Sequence, residues 1–173
     1  MTSNNKILLK CKKIKIVLTD VDGVLTDGGR YYSENGEVVK RFNVRDGMGV
    51  NLLLKNGIKT VIVTKEDSKI TKRWAKDMNV SKVYSKIIKK EEIISNVCKS
   101  YKVTPDGIAF IGDDVNDMNL MKKIGLSATP SDGINDVKKI ADYVCKSRAS
   151  DGAFRELADL VLKSKFPKKT EWY

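Results

Sequence analysis

A short apolar run, Ile14 to Leu18, leads into Asp20-Val21-Asp22-Gly23, and this junction constrains the chain more than any other stretch. A β-branched run without Gly or Pro describes a strand buried on both faces, as in a parallel sheet. Residues i and i+2 of an extended segment point the same way, so Asp20 and Asp22 can face one spot beyond the strand tip. Two like charges there repel unless a cation or a shared proton offsets them. A pair this costly marks a functional site.

Downstream, apolar strands alternate with amphipathic helices. Arg30 to Val44 reads as a hairpin turning at Ser33-Glu34-Asn35-Gly36. Asp46 precedes a short helix closed by Asn56-Gly57. Ile58 to Val63 is a second buried strand ending at Thr64, and a helix from about Asp67 carries Ile70, Trp74 and Met78 on one face. A short strand near Val83-Tyr84, a helix from Lys89 to Tyr101 and a strand from Ile108 to Ile111 follow, the last ending in Gly112-Asp113-Asp114. Helices over Asn116–Ile124, Gly133–Ala141 and Phe154–Leu162 enclose small strands at Leu126–Ala128 and Tyr143–Val144. Repeated β-α-β units predict a doubly wound, three-layer α/β/α domain on a parallel sheet. No linker or repeat divides it: residues 1–173 form one domain, its core over about 14–162 and the hairpin over about 30–44. The ends, Met1 to Lys10 and Phe166 to Tyr173, are expected to be loosely held.

Histidine is absent. Ser-His-Asp and Cys-His triads and His-based zinc sites are thereby excluded, leaving carboxylates, lysines, hydroxyls and a hard metal ion. The net charge of +11 admits an anionic partner, but aromatics are few and not interleaved with the basic runs as base-stacking platforms would be. The expectation is a small anionic substrate, no nucleic acid and no membrane. Cys11, Cys98 and Cys145 are odd in number and far apart, which suits a reduced compartment. With no signal-peptide core in the Lys-rich start, the cytoplasm is the expected location.

In doubly wound sheets ligands sit outside the carboxyl ends of the strands, where strand order reverses. Three strands here end in Asp20 and Asp22, in Thr64, and in Asp113-Asp114. A lone Asp at a strand end is usually a turn residue or helix cap; three such ends in one chain are harder to dismiss. The carboxylates make an all-oxygen donor set suited to Mg²⁺. Phosphoryl transfer fits this inventory: a carboxylate nucleophile, a second carboxyl as acid and base, and cations to spread the developing charge.

Asp20-Val21-Asp22-Gly23-Val24-Leu25-Thr26-Asp27, Thr64, a lysine and Gly112-Asp113-Asp114-Val115-Asn116-Asp117 resemble, in order, the four motifs of the haloacid dehalogenase superfamily. The finer similarity is to its small capless branch. That branch contains 3-deoxy-manno-octulosonate 8-phosphate phosphatases, nonulosonate 9-phosphate phosphatases and the C-terminal domain of animal acylneuraminate cytidylyltransferases. Asp27-Gly28-Gly29, Phe42 to Gly47, and Asp151 to Glu156 are similar to signatures of the branch. The resemblance implies a Rossmann-like core with a hairpin flap and no cap, Asp20 as nucleophile, and Asp22 as general acid/base. Asp20, Asp113 and the Asp22 backbone carbonyl would hold Mg²⁺. Thr64 and Lys90 would contact the phosphoryl group, Lys89 being the local rival. Asp114 and Asp117 would orient the metal site from behind, an ordinary first-turn acid being the plain alternative for Asp117.

For the substrate, the resemblance implies the phosphate of a 3-deoxy-2-ulosonate, with Asn43, Arg45, Gly47, Lys65, Glu66 and Asn116 at substrate-contacting positions. The octulosonate enzymes have Gly-Arg after the threonine and a nonulosonate enzyme has Gly-Glu, so Glu66 leans toward a nonulosonate. Lys65 departs from that glycine, Trp74 stands where a basic residue is expected, and Asp151 replaces a glycine in the late signature. The branch also implies a homotetramer in which the hairpin of one subunit covers a neighbour's site. A noncatalytic oligomerisation domain, as in the cytidylyltransferases, is the alternative.

Overall fold

The computed structural model describes residues 3–171. Its centre is a six-stranded parallel sheet of order β5-β4-β1-β6-β7-β8, with strands β1 (Ile16–Thr19), β4 (Lys59–Val63), β5 (Lys82–Tyr84), β6 (Ile108–Ile111), β7 (Leu126–Thr129) and β8 (Tyr143–Val144). A separate antiparallel hairpin pairs β2 (Tyr31–Ser33) with β3 (Gly36–Val39). β1 lies between β4 and β6, and the chain builds outward first on one side and then on the other. The order therefore reverses beside β1, which places the ligand crevice at its carboxyl end.

The sheet is apolar on both faces because its strands alternate between two cores. Val17, Ile62, Ala109 and Ile111 face one core, where α1 (Ser3–Lys13), α2 (Val44–Lys55), α3 (Lys69–Asp77) and α7 (Ala153–Lys165) pack. Ile16, Leu18, Val61, Val63 and Phe110 face the other, covered by α4 (Ile94–Tyr101), α5 (Met118–Met121) and α6 (Asn135–Ile140). This is the expected three-layer fold. Side chains set the helix starts: Asn43 caps α2 through Arg45 N, and Ser68 caps α3 through Thr71 N. The cap at Asn43 starts α2 three residues ahead of the expected position, so Asp46 lies inside the helix.

The segment expected as a helix from Lys89 instead opens with a 3₁₀ turn, Lys90–Ile93, before α4. Asn116–Ile124 likewise resolves into a 3₁₀ turn, Val115–Asp117, and the short α5. The expectation of loose ends is corrected for the described part. Ser3–Lys13 forms α1, which packs on α7, with Cys11 and Ile14 fully buried. At the other end Phe166 packs against the same core, and Lys169 Nζ donates to Asn56 Oδ1 at 2.6 Å. Met1, Thr2, Trp172 and Tyr173 lie outside the described residues. Among the described residues no helix is long and apolar enough to cross a membrane.

Phe154, fully buried where α7 meets α2, ties the helices of one face to the sheet. Phe154→Ala should cost about 3–5 kcal/mol of unfolding free energy, read as a lower urea midpoint with unchanged slope.

Candidate active site

Sheet register fixes what meets Asp20. Thr19 pairs with Ile62 on β4 and with Ile111 on β6. Asp20 is thus level with the last residue of β4, and its N–H still donates to Ile111 O at 3.0 Å. Thr64 comes one residue past the end of β4, and Asp113 comes two past Ile111. A cleft of about 360 Å³ opens there, lined by Asp20, Asp22, Arg30, Thr64, Glu66 and Asn116, with Asp113 among its walls. Lys65 and Asp114 also face it. The expected strand-end residues thus converge at one place.

Below the cleft lies a buried charge cluster. Lys90 enters from the turn after β5 with its side chain fully buried. Its Nζ lies 2.6 Å from Asp20 Oδ2 and 2.6 Å from Asp117 Oδ1. Asp20 Oδ1 accepts the Val21 N–H at 2.7 Å, and Asp117 Oδ2 accepts the Asp113 N–H at 2.9 Å. Asp117 is therefore more than a first-turn acid: it is wholly buried, and it joins the lysine to the backbone carrying Asp113. Lys89 points away, 3.8 Å from Glu92 on the surface. Asp114 caps the following turn through Val115 N at 2.7 Å.

Two glycines leave the room this cluster needs. A Cβ on Gly112 would sit 2.4 Å from Asp117 Oδ2, and one on Gly23 would sit 2.0 Å from Asp113 Oδ2. Gly23 also has φ +86, a conformation other residues resist.

The cluster fits a divalent cation. Asp20, Asp113 and Asp117 offer carboxylate oxygens within 4.8 Å of one another. Three carboxylates against one ammonium leave two negative charges unneutralised, the charge of one such ion. Asp113 Oδ1 is buried and finds no hydrogen-bond partner among the described residues, whereas both Asp117 oxygens are engaged by Lys90 and backbone N–H. Burial, with the Asp20 and Asp117 charges beside it, pushes the Asp113 carboxyl up to about 8. Burial likewise raises Asp20, against the pull of Lys90. Burial alone would lower Lys90, but its two carboxylates outweigh that and hold its pKa high.

Asp22 departs from its partner in the D-x-D. Its carboxylate belongs to a second group of charges, paired with the buried Lys40 ammonium and lying 3.8 Å from Arg30. Arg30 also reaches Glu66 at 3.3 Å. Neither Arg30 nor Lys40 follows from motif spacing; their only signal is their place at the two feet of the hairpin. Thr64 accepts the Glu66 N–H at 3.2 Å on its hydroxyl.

The structure sets Asn43, Arg45 and Gly47 apart from this cleft. Asn43 caps α2 and donates to Ser150 O at 3.0 Å. Arg45 lines a different cleft of about 420 Å³, with Tyr143, Arg155 and Lys163. A Cβ on Gly47 would meet Met78 Sδ at 2.4 Å, so the glycine lets α2 approach α3. The signature over Phe42 to Gly47 meets the late one, for Asp46 Oδ1 accepts Arg155 N–H at 2.9 Å; in the late one, Glu156 also accepts Tyr143 Oη–H at 2.6 Å.

In the metal-free protein, carboxyl groups held above their ordinary pKa add stability while protonated. That contribution is complete below about pH 4 and is lost as pH rises toward about 8. A bound cation reverses the balance by favouring the ionised forms. Mg²⁺ should therefore raise the melting temperature more at about pH 8 than at about pH 5, and an equal gain at both would count against this cluster as the metal site.

The model of the haloacid dehalogenase-like hydrolases matches residues 58–157. The chain is 37% identical over 155 residues to the 3-deoxy-D-manno-octulosonate 8-phosphate phosphatase of Haemophilus influenzae, covering 90% of this chain and 86% of that protein. The cobalt-bound structure of the phosphatase from that organism superposes with a TM-score of 0.88 at 36% identity, covering 90% and 91% of the two chains. The Moraxella catarrhalis phosphatase, in complex with magnesium, phosphate and the octulosonate, superposes with a TM-score of 0.90 at 31% identity, covering 93% and 92%. With the strand-end carboxylates in place on a matching sheet, the chain belongs to the haloacid dehalogenase-like hydrolases.

Proposed function

We propose that this protein is a Mg²⁺-dependent phosphatase removing the terminal phosphate of a 3-deoxy-2-ulosonate, with 3-deoxy-D-manno-octulosonate 8-phosphate as the first substrate to test. The observation that carries the reading is the Asp20 carboxylate at the cleft floor, held by Lys90 and facing Asp22, Thr64 and Asp113. Substrate choice rests on the relatives, which are phosphatases of that octulosonate phosphate.

In this reading Asp20 attacks phosphorus while the bond to the sugar oxygen breaks, and the Asp22 carboxyl gives its proton to the departing alkoxide. Asp22, now a carboxylate, takes a proton from the water that attacks the aspartyl-phosphate, releasing inorganic phosphate and restoring Asp20. Thr64 donates its hydroxyl proton to a phosphoryl oxygen, and Lys90 holds the nucleophile in place. Asp20, Asp113 and the Asp22 backbone carbonyl are the assigned Mg²⁺ ligands; the ion supplies neutralisation of the phosphoryl oxygens when bound. Asp114 and Asp117 keep the Asp113 loop in position. Lys65, Glu66 and Asn116 line the cleft where the sugar would extend. Glu66 has the character that leaned toward a nonulosonate, yet Arg30 already pairs with it.

The assay that decides is phosphate release from octulosonate 8-phosphate and two nonulosonate 9-phosphates, with Mg²⁺ and with EDTA. Turnover should require Mg²⁺ and fall by several orders of magnitude in Asp20→Asn and Asp113→Ala. Failure on every substrate, with Asp20→Asn no different from the parent, would leave the noncatalytic oligomerisation domain as the better reading.

The quaternary part of the proposal is a homotetramer with the flap exchanged between subunits. It is supported by the exposure of Tyr31, Tyr32, Val38 and Val39 on the hairpin, and by the position of Asn43 and Arg45 just beyond it, away from their own cleft. Light scattering after size exclusion should give four times the chain mass, and a monomer at micromolar concentration would rule the exchange out.

A further inference from the structure

The hairpin has a charged residue at each foot, and both point at one carboxylate. Arg30 immediately precedes β2 and Lys40 immediately follows β3. The Lys40 ammonium pairs with Asp22 Oδ1 and lies 3.2 Å from Glu37 Oε1, and its side chain is fully buried. Arg30 Nη2 stands 3.8 Å from the other oxygen, Oδ2. That distance is an ion pair without a hydrogen bond. Thr26 Oγ1, at 3.5 Å, also points at Oδ1. One oxygen of Asp22 is therefore gripped from two sides, while Oδ2 makes no hydrogen bond among the described residues.

The grip runs on into the fold. Glu37 Oε2 accepts the Ser68 hydroxyl at 3.0 Å, and Ser68 caps α3. Lys40 thus links Asp22 to the flap strand and, through Glu37, to the helix that follows Thr64. Burying an ammonium carries a desolvation cost that packing an apolar side chain does not. A lysine needed only to seat the hairpin would be a poor choice for the position. Its ammonium is placed instead against a carboxylate that lines the cleft.

We propose that Lys40 is a positioning residue for the reaction: it fixes Oδ1 of Asp22 so that Oδ2 is presented to the leaving oxygen, and it makes that presentation depend on the docked flap. The inference rests on Asp22 being the acid that protonates the leaving group. Lys40 gives up no proton in this role. The proton that passes to the alkoxide is the one on the Asp22 carboxyl.

The test compares two leaving groups. An alkyl phosphate such as octulosonate 8-phosphate needs its departing oxygen protonated; p-nitrophenyl phosphate releases a stable anion and needs little help. The value of kcat/KM covers the steps through departure of that group, and the ratio between the two substrates does not depend on the folded fraction of a preparation. In Lys40→Met, kcat/KM for the sugar phosphate should fall about tenfold or more beyond the fall for p-nitrophenyl phosphate. Asp22→Asn should show the same bias more strongly, within the roughly 10²- to 10⁴-fold that a general acid contributes. Lys40→Met added to Asp22→Asn should bring no further bias, since both act through one carboxylate.

A biased Asp22→Asn beside an unbiased Lys40→Met overturns the proposal for Lys40. An unbiased Asp22→Asn overturns the acid assignment itself, and the two failures are thereby told apart. Should Lys40→Met not yield folded protein, Glu37→Gln loosens the same ammonium from its other anchor. A bias of a few-fold in the same direction is expected there, and an unchanged ratio would overturn the proposal.

Discussion

The contact on which the rest depends is the Lys90 ammonium shared between Asp20 and Asp117. It joins three points far apart in sequence: the tip of β1, the turn after β5 and the turn after β6. Among the described residues Lys90 is the cation paired with the buried Asp20, and the ring of Phe110 lies 5.9 Å from its ammonium. A buried pair of this kind adds little net stability against an apolar replacement, but removing one partner leaves a charge stranded at about 3–5 kcal/mol. The arrangement is therefore rigid in composition. Each member is retained because the others are there, and the site inherits that rigidity.

The second consequence concerns the two carboxylates of the D-x-D. Alternation along an extended segment would make them equivalent, yet the folded chain balances each with a different lysine. Asp20 is drawn down to Lys90, into a cluster that still lacks two positive charges. Asp22 is drawn toward the flap, where Lys40 and Arg30 stand against Asp22, Glu37 and Glu66, a set one positive charge short. The first environment calls for a cation from outside. The second is short by a single charge, that of one proton, and that division is what a nucleophile on a metal and an acid/base off it require.

Much of this was legible in the sequence because the sheet writes its own pattern. Strands buried on both faces leave continuous apolar runs, and register then brings the residues just past those runs together. The converging of Asp20, Thr64 and Asp113 follows from that alone. What escaped has equally physical reasons. Among its described side chains helix α1 fully buries Cys11 alone, with Ile7 half-buried and Ile14 just past its end, so its periodicity is drowned by charge. Lys90 and Lys89 are indistinguishable until the 3₁₀ turn decides which of them points inward. Lys40 looks like any strand-end lysine, and its burial depends on a contact with residues 18 positions earlier. Asp117 reads as a first-turn acid because its helix start is genuine; its second role appears only when Lys90 arrives from another element.

The flap shows how little of a small hairpin's stability is its own. Two strands alone are marginal in water, and these carry Tyr31, Tyr32, Val38 and Val39 outward. Its hold on the domain is concentrated at the base: the Thr26–Phe42 bridge, the stack of Phe42 on Trp74 at 4.8 Å, and the two cations on Asp22. Trp74, where a basic residue was expected, thus serves as the floor for Phe42 rather than as a contact in the cleft. The charged feet of the hairpin are tied to Asp22, while the apolar side chains of its two strands stay exposed. A segment divided this way can serve assembly through its strand faces and acid orientation through its feet, because the charges that set the feet are not the surface that the strands present.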